Sequence, residues 1–252
     1  ADPGYHGLWH ACRFYWFGPR GPAEAGIAMC GRFALSDTHQ LSLRFDVEPG
    51  DESSLIPRYN VAPTQSIPVI VEENGGRVLR MMRWGFRPAW KQPAGGAPDP
   101  INARAETLME RPMFRPSVVK RRCLIPANGF YEWKAQPGSK VKQPYYIHLE
   151  DNGLFAFAGI YVDGRDAGGS PDQTCAIITT GPNELMSEIH NRMPAILEPS
   201  GEQAWIDSEL TEPEVVLPLL RPYEAGDLQA YPVSSRVSSP RNEGPELAEP
   251  VE

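Results

Sequence analysis

Cys30 directly follows Met29 in the stretch Met29-Cys30-Gly31-Arg32-Phe33, and a cysteine in that place can become the first residue of a working chain. A terminal cysteine holds a thiol and a free α-amine on adjacent carbons, and the pair closes a five-membered thiazolidine ring on an aldehyde. No internal cysteine can do this. The α-amine has a reference pKa of about 7.7–8.0 against about 10.4 for lysine, so a useful fraction is nucleophilic near neutral pH. The plainer reading of Cys30 is an ordinary small buried residue, the usual state of a free cysteine.

As numbered, Cys30 is internal and its nitrogen is an amide. Two routes expose the amine: initiation at Met29 followed by removal of the methionine, or cleavage of the Met29–Cys30 peptide bond. On either route, residues 1–28 are expected to be a leader or upstream segment outside the fold, with 29–252 forming a single domain. The segment lacks the uninterrupted apolar run and cleavage site of a signal peptide. Its His6, His10 and Cys12 match no standard zinc spacing.

Stepping outward from Cys30, charge is distributed unevenly. The chain carries a net charge of −8, and the part beyond Gly201, with eleven acidic and three basic residues, accounts for all of it. The segment from Arg77 to Arg122 has the opposite character, with eleven Lys and Arg against Asp99, Glu106 and Glu110. Trp84, Phe86 and Trp90 lie among those cations. Such a mixture suits single-stranded nucleic acid, whose bases stack on rings while Arg holds phosphates; a solvated charged face is the competing reading. The apolar runs fall short of the roughly 20 residues that span a membrane. Cysteines at 12, 30, 123 and 175 show no C-x-x-C pair and no disulfide-framework density, which points to a reducing cytoplasm.

The elements expected to position these residues are mainly strands. Pro68-Val69-Ile70-Val71 and Val78-Leu79-Arg80-Met81-Met82 flank Asn74-Gly75-Gly76, a hairpin signal. Strands are also expected at 122–125, 129–133, 145–149, 154–158, 175–179 and near 228–233, with 145–149 pairing 154–158 across Asp151-Asn152-Gly153. Short helices are expected near 41–45, capped by Ser36 or Asp37, within 113–119, and from Pro182 or Asn183 to His190. Two acidic amphipathic segments lie around Trp205 and at 215–220. Residues 58–65 carry too many turn formers for regular structure, and 87–100 reads as a long loop, a frequent place for function. The sum is an α+β fold of mainly antiparallel sheets closing, or nearly closing, into a barrel-like core with short peripheral helices.

Four stretches then stand together: Cys30-Gly31-Arg32-Phe33, Ile101-Asn102-Ala103-Arg104-Ala105-Glu106-Thr107, Asn128-Gly129-Phe130-Tyr131-Glu132-Trp133, and Ile189-His190-Asn191-Arg192-Met193-Pro194. With Arg58 to Thr64 and Trp84-Gly85-Phe86, they make the chain resemble the SOS-response-associated peptidase family of abasic-site-processing proteins, from Met29 to about Pro250. The resemblance implies a catalytic set of Cys30 as nucleophile, Glu132 and His190 as acid and base, and Asn102 at the lesion. It implies capture of an abasic aldehyde in single-stranded DNA as a thiazolidine, in a cytoplasmic monomer that associates with the nucleoid through DNA, without metal or cofactor. DNA contacts fall to Arg32, Asn60, Trp84, Arg87, Arg104 and Arg111.

The residues carry this chemistry on their own terms too. If Phe130, Tyr131 and Trp133 bury Glu132, desolvation raises its pKa toward the protonated form of a general acid. An unperturbed histidine titrates near 6.5, so His190 can exchange protons near neutrality, in sugar ring opening and in reversal of the adduct. Competing readings place Glu132 on the outer face of a strand, His190 on helix-terminal carbonyls, and Arg104 in a pair with Glu106. They also make Arg58 and Asn60 hold their loop by hydrogen bonds, and Cys123 and Cys175 core residues. A thiol peptidase using Cys30 and His190 and a non-covalent single-strand-binding module are the alternative functions. The segment from Pro232 to Pro250 is expected to be a folded edge.

Overall fold

A computed structural model describes residues 30–47, 55–91, 98–166 and 169–251. The leader assigned to 1–28, with His6, His10 and Cys12, lies outside these residues. Strands run in chain order as β1 (Phe33–Leu35), β2 (Arg58–Val61), β3 (Ser66–Glu73), β4 (Gly76–Trp84), β5 (Asn102–Arg104), β6 (Arg122–Ala127) and β7 (Gly129–Lys134). They continue as β8 (Gln143–Leu149), β9 (Phe155–Arg165), β10 (Pro171–Thr180), β11 (Met193–Pro194), β12 (Ile196–Leu197) and β13 (Leu228–Pro232). The helices are short: α1 (Leu41–Phe45), α2 (Arg115–Lys120), α3 (Glu184–Ser187), α4 (Pro199–Ile206) and α5 (Pro213–Val216).

Five strands close on themselves in the order β10-β4-β3-β6-β9 and back to β10, a barrel that leaves none of the five as a bare edge. All its pairings are antiparallel except β4 with β10. A second, five-stranded sheet has the order β13-β8-β7-β1-β2. The two meet through aromatics: the Phe33 ring lies 5.3 Å from Trp84 and 5.9 Å from Phe157, and Phe130 lies 6.0 Å from Phe157. The expected barrel-like, mainly antiparallel core is therefore present.

Local signals produced several elements as expected. Asn74 and Gly75 both take left-handed φ angles, 53° and 80°, as a two-residue type I′ hairpin requires. Asn183 caps α3 by accepting the Met186 N–H at 2.8 Å, although that helix ends at Ser187, short of His190. Neither Ser36 nor Asp37 opens the 38–45 segment with a side-chain cap; the Asn128 Oδ1 instead accepts both of their backbone N–H groups.

Two expectations are corrected. Residues 58–61 form a strand, because pairing with β1 satisfies their backbone despite the turn formers that follow. The hairpin between 145–149 and 154–158 does not form: β8 pairs with β7 and β13, and β9 with β6, β10 and β12. Phe155 to Ile160 is buried throughout, a pattern of burial on both faces that the second sheet's edge could not supply. The Asp151-Asn152-Gly153 turn, with the Gly153 N–H on Asp151 Oδ1 at 2.8 Å, carries the chain from one sheet to the other.

β7 is likewise buried on both faces. Phe130 faces the main core, whereas Tyr131 and Trp133 belong to a second apolar cluster with Ala34, Tyr146, Val233 and Val237. Gly129 makes room for this packing, since a Cβ there would stand 2.3 Å from the Tyr146 ring. The segment 233–251 closes the cluster, with Val237 and Leu247 buried and the Tyr231 hydroxyl on the Ala248 carbonyl at 2.7 Å. It is a folded edge, as expected.

Candidate active site

Strand alternation puts Glu132 on the same face of β7 as Phe130, toward the main core. The antiparallel register of β1 with β7 continues past Phe33, as the Tyr131 N–H donates to the Arg32 carbonyl at 3.0 Å. Cys30 is thereby delivered beside Glu132, and the Cys30 nitrogen donates to Glu132 Oε1 at 2.7 Å. Cys30 itself takes a left-handed φ of 45°, uncommon for a residue with a side chain. Both residues are buried.

Burial raises the Glu132 pKa, against the charge of His190 and hydrogen bonds from Cys30 and the Trp133 backbone. The rise expected if its aromatic neighbours buried it is present. The Cys30 thiol is pushed well above its ordinary value by burial, then by the charge of Glu132 and a hydrogen bond to it, with Arg192 acting in the opposite direction.

His190 lies just past α3, its N–H on the Met186 carbonyl at 2.7 Å. Its Nδ1 accepts the Arg192 backbone N–H at 3.2 Å, so in the neutral ring the proton sits on Nε2. Arg192 was not singled out from sequence, although it belongs to the His190-Asn191-Arg192 stretch. Its guanidinium forks onto Glu106, with Nη1 2.5 Å from Oε1 and Nη2 2.9 Å from Oε2, and Nη2 also donates to the Thr179 carbonyl at 2.6 Å. Glu106 is thus paired with Arg192 rather than with Arg104, and the pairing holds its carboxyl below the usual range.

Asn102 and Arg104 lie on β5, which runs parallel to β10 with Arg104 opposite Thr179. Both line a cleft of about 580 Å³ with Trp90, Thr107, Arg111 and Phe114. Cys30 and Glu132 are in contact, and His190 acts on Glu132, and Arg192 on Cys30, through their charges; Asn102 and Arg104 line the cleft.

Much of the basic segment is paired within the protein. Arg83, Arg87 and Lys91 converge on Asp99 at 3.2, 2.8 and 2.9 Å. Arg80 pairs with Glu73, Arg121 with Asp163, and Arg122 is buried among backbone carbonyls. Arg104, Arg111, Arg115 and Lys120 are exposed and form no salt bridge among the described residues. Trp84 is fully buried with its indole N–H on the Ile101 carbonyl at 2.9 Å, so the expectation that it contacts DNA is corrected; the ring fills the core instead. Trp90, 69% exposed, lines the cleft together with the half-buried Phe114. Asn60 is fully buried and donates to the Ser239 and Asn242 carbonyls, which corrects its assignment to DNA; its role is structural, but it holds the 239–242 stretch rather than its own loop. Arg87 faces Asp99, and Arg32 turns inward to Asn60. Cys123 and Cys175 are core residues, as expected. Among the described residues, no cluster of three His, Cys, Asp or Glu side chains has a metal-holding arrangement, and no helix is long and apolar enough to cross a membrane.

Fold and site together define a cysteine-centred α+β protein in which acid–base groups gather at the cysteine's nitrogen as much as at its sulfur. The chain belongs to the SOS response associated peptidase (SRAP) family, which it matches over residues 29–240. It is similar to the abasic site processing protein YoqW of Bacillus subtilis, 46% identical over 223 residues, covering 88% of this chain and 99% of the relative. It is also similar to the abasic site processing protein HMCES of Gallus gallus, 33% identical over 230 residues, covering 78% of this chain and 67% of the relative. A crystal structure of a protein from Bacteroides thetaiotaomicron superposes with a TM-score of 0.77 at 27% identity, covering 88% of this chain and 100% of that one.

Proposed function

We propose that this protein processes abasic sites in single-stranded DNA by linking them covalently to Cys30, in a form whose chain starts at that residue and whose fold is the single domain from 29 onward. The observation that carries this reading is the 2.7 Å contact between the Cys30 nitrogen and the buried Glu132 carboxyl. The same carboxyl also bonds the thiol, so it stands at both groups that thiazolidine closure uses, the nitrogen that attacks first and the sulfur that closes the ring. The relatives named for abasic site processing support the choice of aldehyde.

The abasic sugar equilibrates between a closed ring and an open aldehyde, and His190 moves the proton that opening requires. The free α-amine of Cys30 adds to the aldehyde carbon, and its surplus proton passes to Glu132. Glu132 delivers that proton to the new alkoxide oxygen, giving a carbinolamine; the remaining amine proton then passes by the same carboxyl to the carbinolamine hydroxyl, which leaves as water and generates the imine. The Cys30 sulfur then adds to the imine carbon while the thiol proton goes to the nitrogen, closing the thiazolidine; the net change is loss of one water. Arg104 and Arg111 hold phosphates along the cleft, and Trp90 offers a stacking face.

A thiol-peptidase pairing of Cys30 with His190 is disfavoured by the sulfur's surroundings. Burial and the Glu132 carboxylate push that thiol up, whereas a nucleophilic cysteine is activated by being pushed down. The test is to incubate protein beginning at Cys30 with an abasic oligonucleotide and resolve the products on a denaturing gel. A shifted band resistant to salt and denaturant is expected, and Cys30→Ser shifting the oligonucleotide equally well would overturn the mechanism.

A further inference from the structure

Arg32 lies two residues beyond Cys30, and its side chain faces the protein's own interior. Its Nε donates to the Gly31 carbonyl at 3.3 Å, and its Nη1 donates to Asn60 Oδ1 at 2.9 Å and to the Val237 carbonyl at 2.8 Å. Asn60 is held from its other end, where Nδ2 donates to the carbonyls of Ser239 at 2.9 Å and Asn242 at 2.8 Å. The Arg32 carbonyl accepts from Tyr131, the residue before Glu132, at 3.0 Å, and the Tyr131 hydroxyl donates to the Tyr59 carbonyl at 2.8 Å. Arg32 is therefore fastened to β7 by its backbone, and to β2 and the 233–251 segment by its guanidinium. One further N–H rests on the Gly31 carbonyl, in the peptide that joins Gly31 to Arg32.

That peptide needs fastening. Gly31 has no Cβ to restrict its rotation, and a chain starting at Cys30 has nothing ahead of it, so the reactive amine would swing about two loosely restrained residues. A displacement of about 1 Å at a reacting group costs on the order of 100-fold in rate. We propose that Arg32 is a positioning residue: through Asn60 and the Val237 carbonyl it fixes the Gly31 peptide, and so keeps the Cys30 nitrogen on Glu132. The 233–251 segment thereby completes the reactive centre from behind. This rests on the covalent reading above.

The test compares Arg32→Lys and Asn60→Ala with wild-type protein, all beginning at Cys30, in single-turnover crosslinking at saturating abasic oligonucleotide and in binding to an undamaged strand. Lysine keeps a point charge for phosphate but not the fork that spans Asn60 and Val237. The saturating rate is expected to fall about tenfold or more in both variants, with affinity for undamaged DNA and its salt slope unchanged. Arg32→Lys reacting at the wild-type saturating rate, or Arg32→Lys and Asn60→Ala losing affinity in parallel with rate, would overturn the proposal. A DNA-free measurement separates it from the reading it rests on. In ¹⁵N-cysteine-labelled protein the Cys30 nitrogen should give a single sharp resonance in wild type that shifts and broadens in Arg32→Lys as its contact with Glu132 loosens. Absence of crosslinking by wild type with that shift present condemns the covalent reading alone; a Cys30 nitrogen resonance identical in the two proteins condemns the positioning role.

Discussion

Replacing Glu132 with glutamine preserves the side chain's shape and its ability to accept from the Cys30 nitrogen, now at 2.7 Å, and removes its ability to carry a proton. General acid–base catalysis contributes about 10²–10⁴-fold, or roughly 2.7–5.4 kcal/mol at about 1.36 kcal/mol per tenfold. The lower end is expected here, because the Cys30 amine and thiol remain and His190 still reaches the same centre. Crosslinking at saturating abasic DNA should therefore slow about 100-fold, equivalent to about 2.7 kcal/mol, with binding to undamaged DNA unaffected. Stability should move the other way. Burial raises the Glu132 pKa from its reference of 4.5, more than His190 and the Cys30 and Trp133 hydrogen bonds lower it. A carboxyl whose folded pKa exceeds its unfolded value binds more protons folded than unfolded. Its stabilising contribution is present below the unfolded value and is lost as pH rises through the folded one. Glutamine has no such slope, so the Tm of the variant minus that of wild type should increase between about pH 4 and about pH 8. Single-turnover gels and paired thermal melts across that range provide both readouts. A wild-type rate in the variant would remove Glu132 from the chemistry, and a Tm difference flat with pH would remove the buried, titrating carboxyl on which the assignment depends.

Three other outcomes follow from the same geometry. Trp90→Ala should weaken single-strand binding by about 1–3 kcal/mol, the value of one base stack, with no change in Tm; Trp84→Ala should instead destabilise the fold by about 3–5 kcal/mol in chemical denaturation. Arg111→Ala should lower the salt slope of single-strand binding by about 0.7, while Arg87→Ala, whose guanidinium faces Asp99, should leave that slope in place. Burial alone would raise the Asp99 pKa, but hydrogen bonds and charge from Lys91 and Arg87 outweigh it and hold the carboxyl below its reference of 3.8. That contribution is present above the unfolded pKa and lost as pH falls through the folded one. Asp99→Asn should thus melt lower at neutral pH and show a flatter acid limb in thermal melts.

Elements whose cause is local were legible from residue types. Asn74-Gly75 needed only a backbone that tolerates positive φ, and Asn183 only a side chain able to reach Met186. The alternation through Phe130, Glu132 and the flanking aromatics announced a strand but left open which face was buried. Both are, because the main core covers one and the 233–251 segment covers the other. Asn60 looked like a loop residue in a turn-rich stretch; its burial comes from residues about 180 positions later in the chain.

What residue types and order determined by themselves is the family, the mainly antiparallel fold and the chemistry open to Cys30, since these depend on functional groups and short-range patterns. Tertiary structure alone decided which groups meet. It put Glu132 on the cysteine's nitrogen, forked Arg192 onto Glu106, and sent β8 and β9 into different sheets. It also buried Trp84 while leaving Trp90 exposed, and neutralised much of the basic segment against Asp99. Charge and hydropathy along a chain add up without regard to direction, whereas burial and ion pairing depend on which partner the fold sets opposite each side chain.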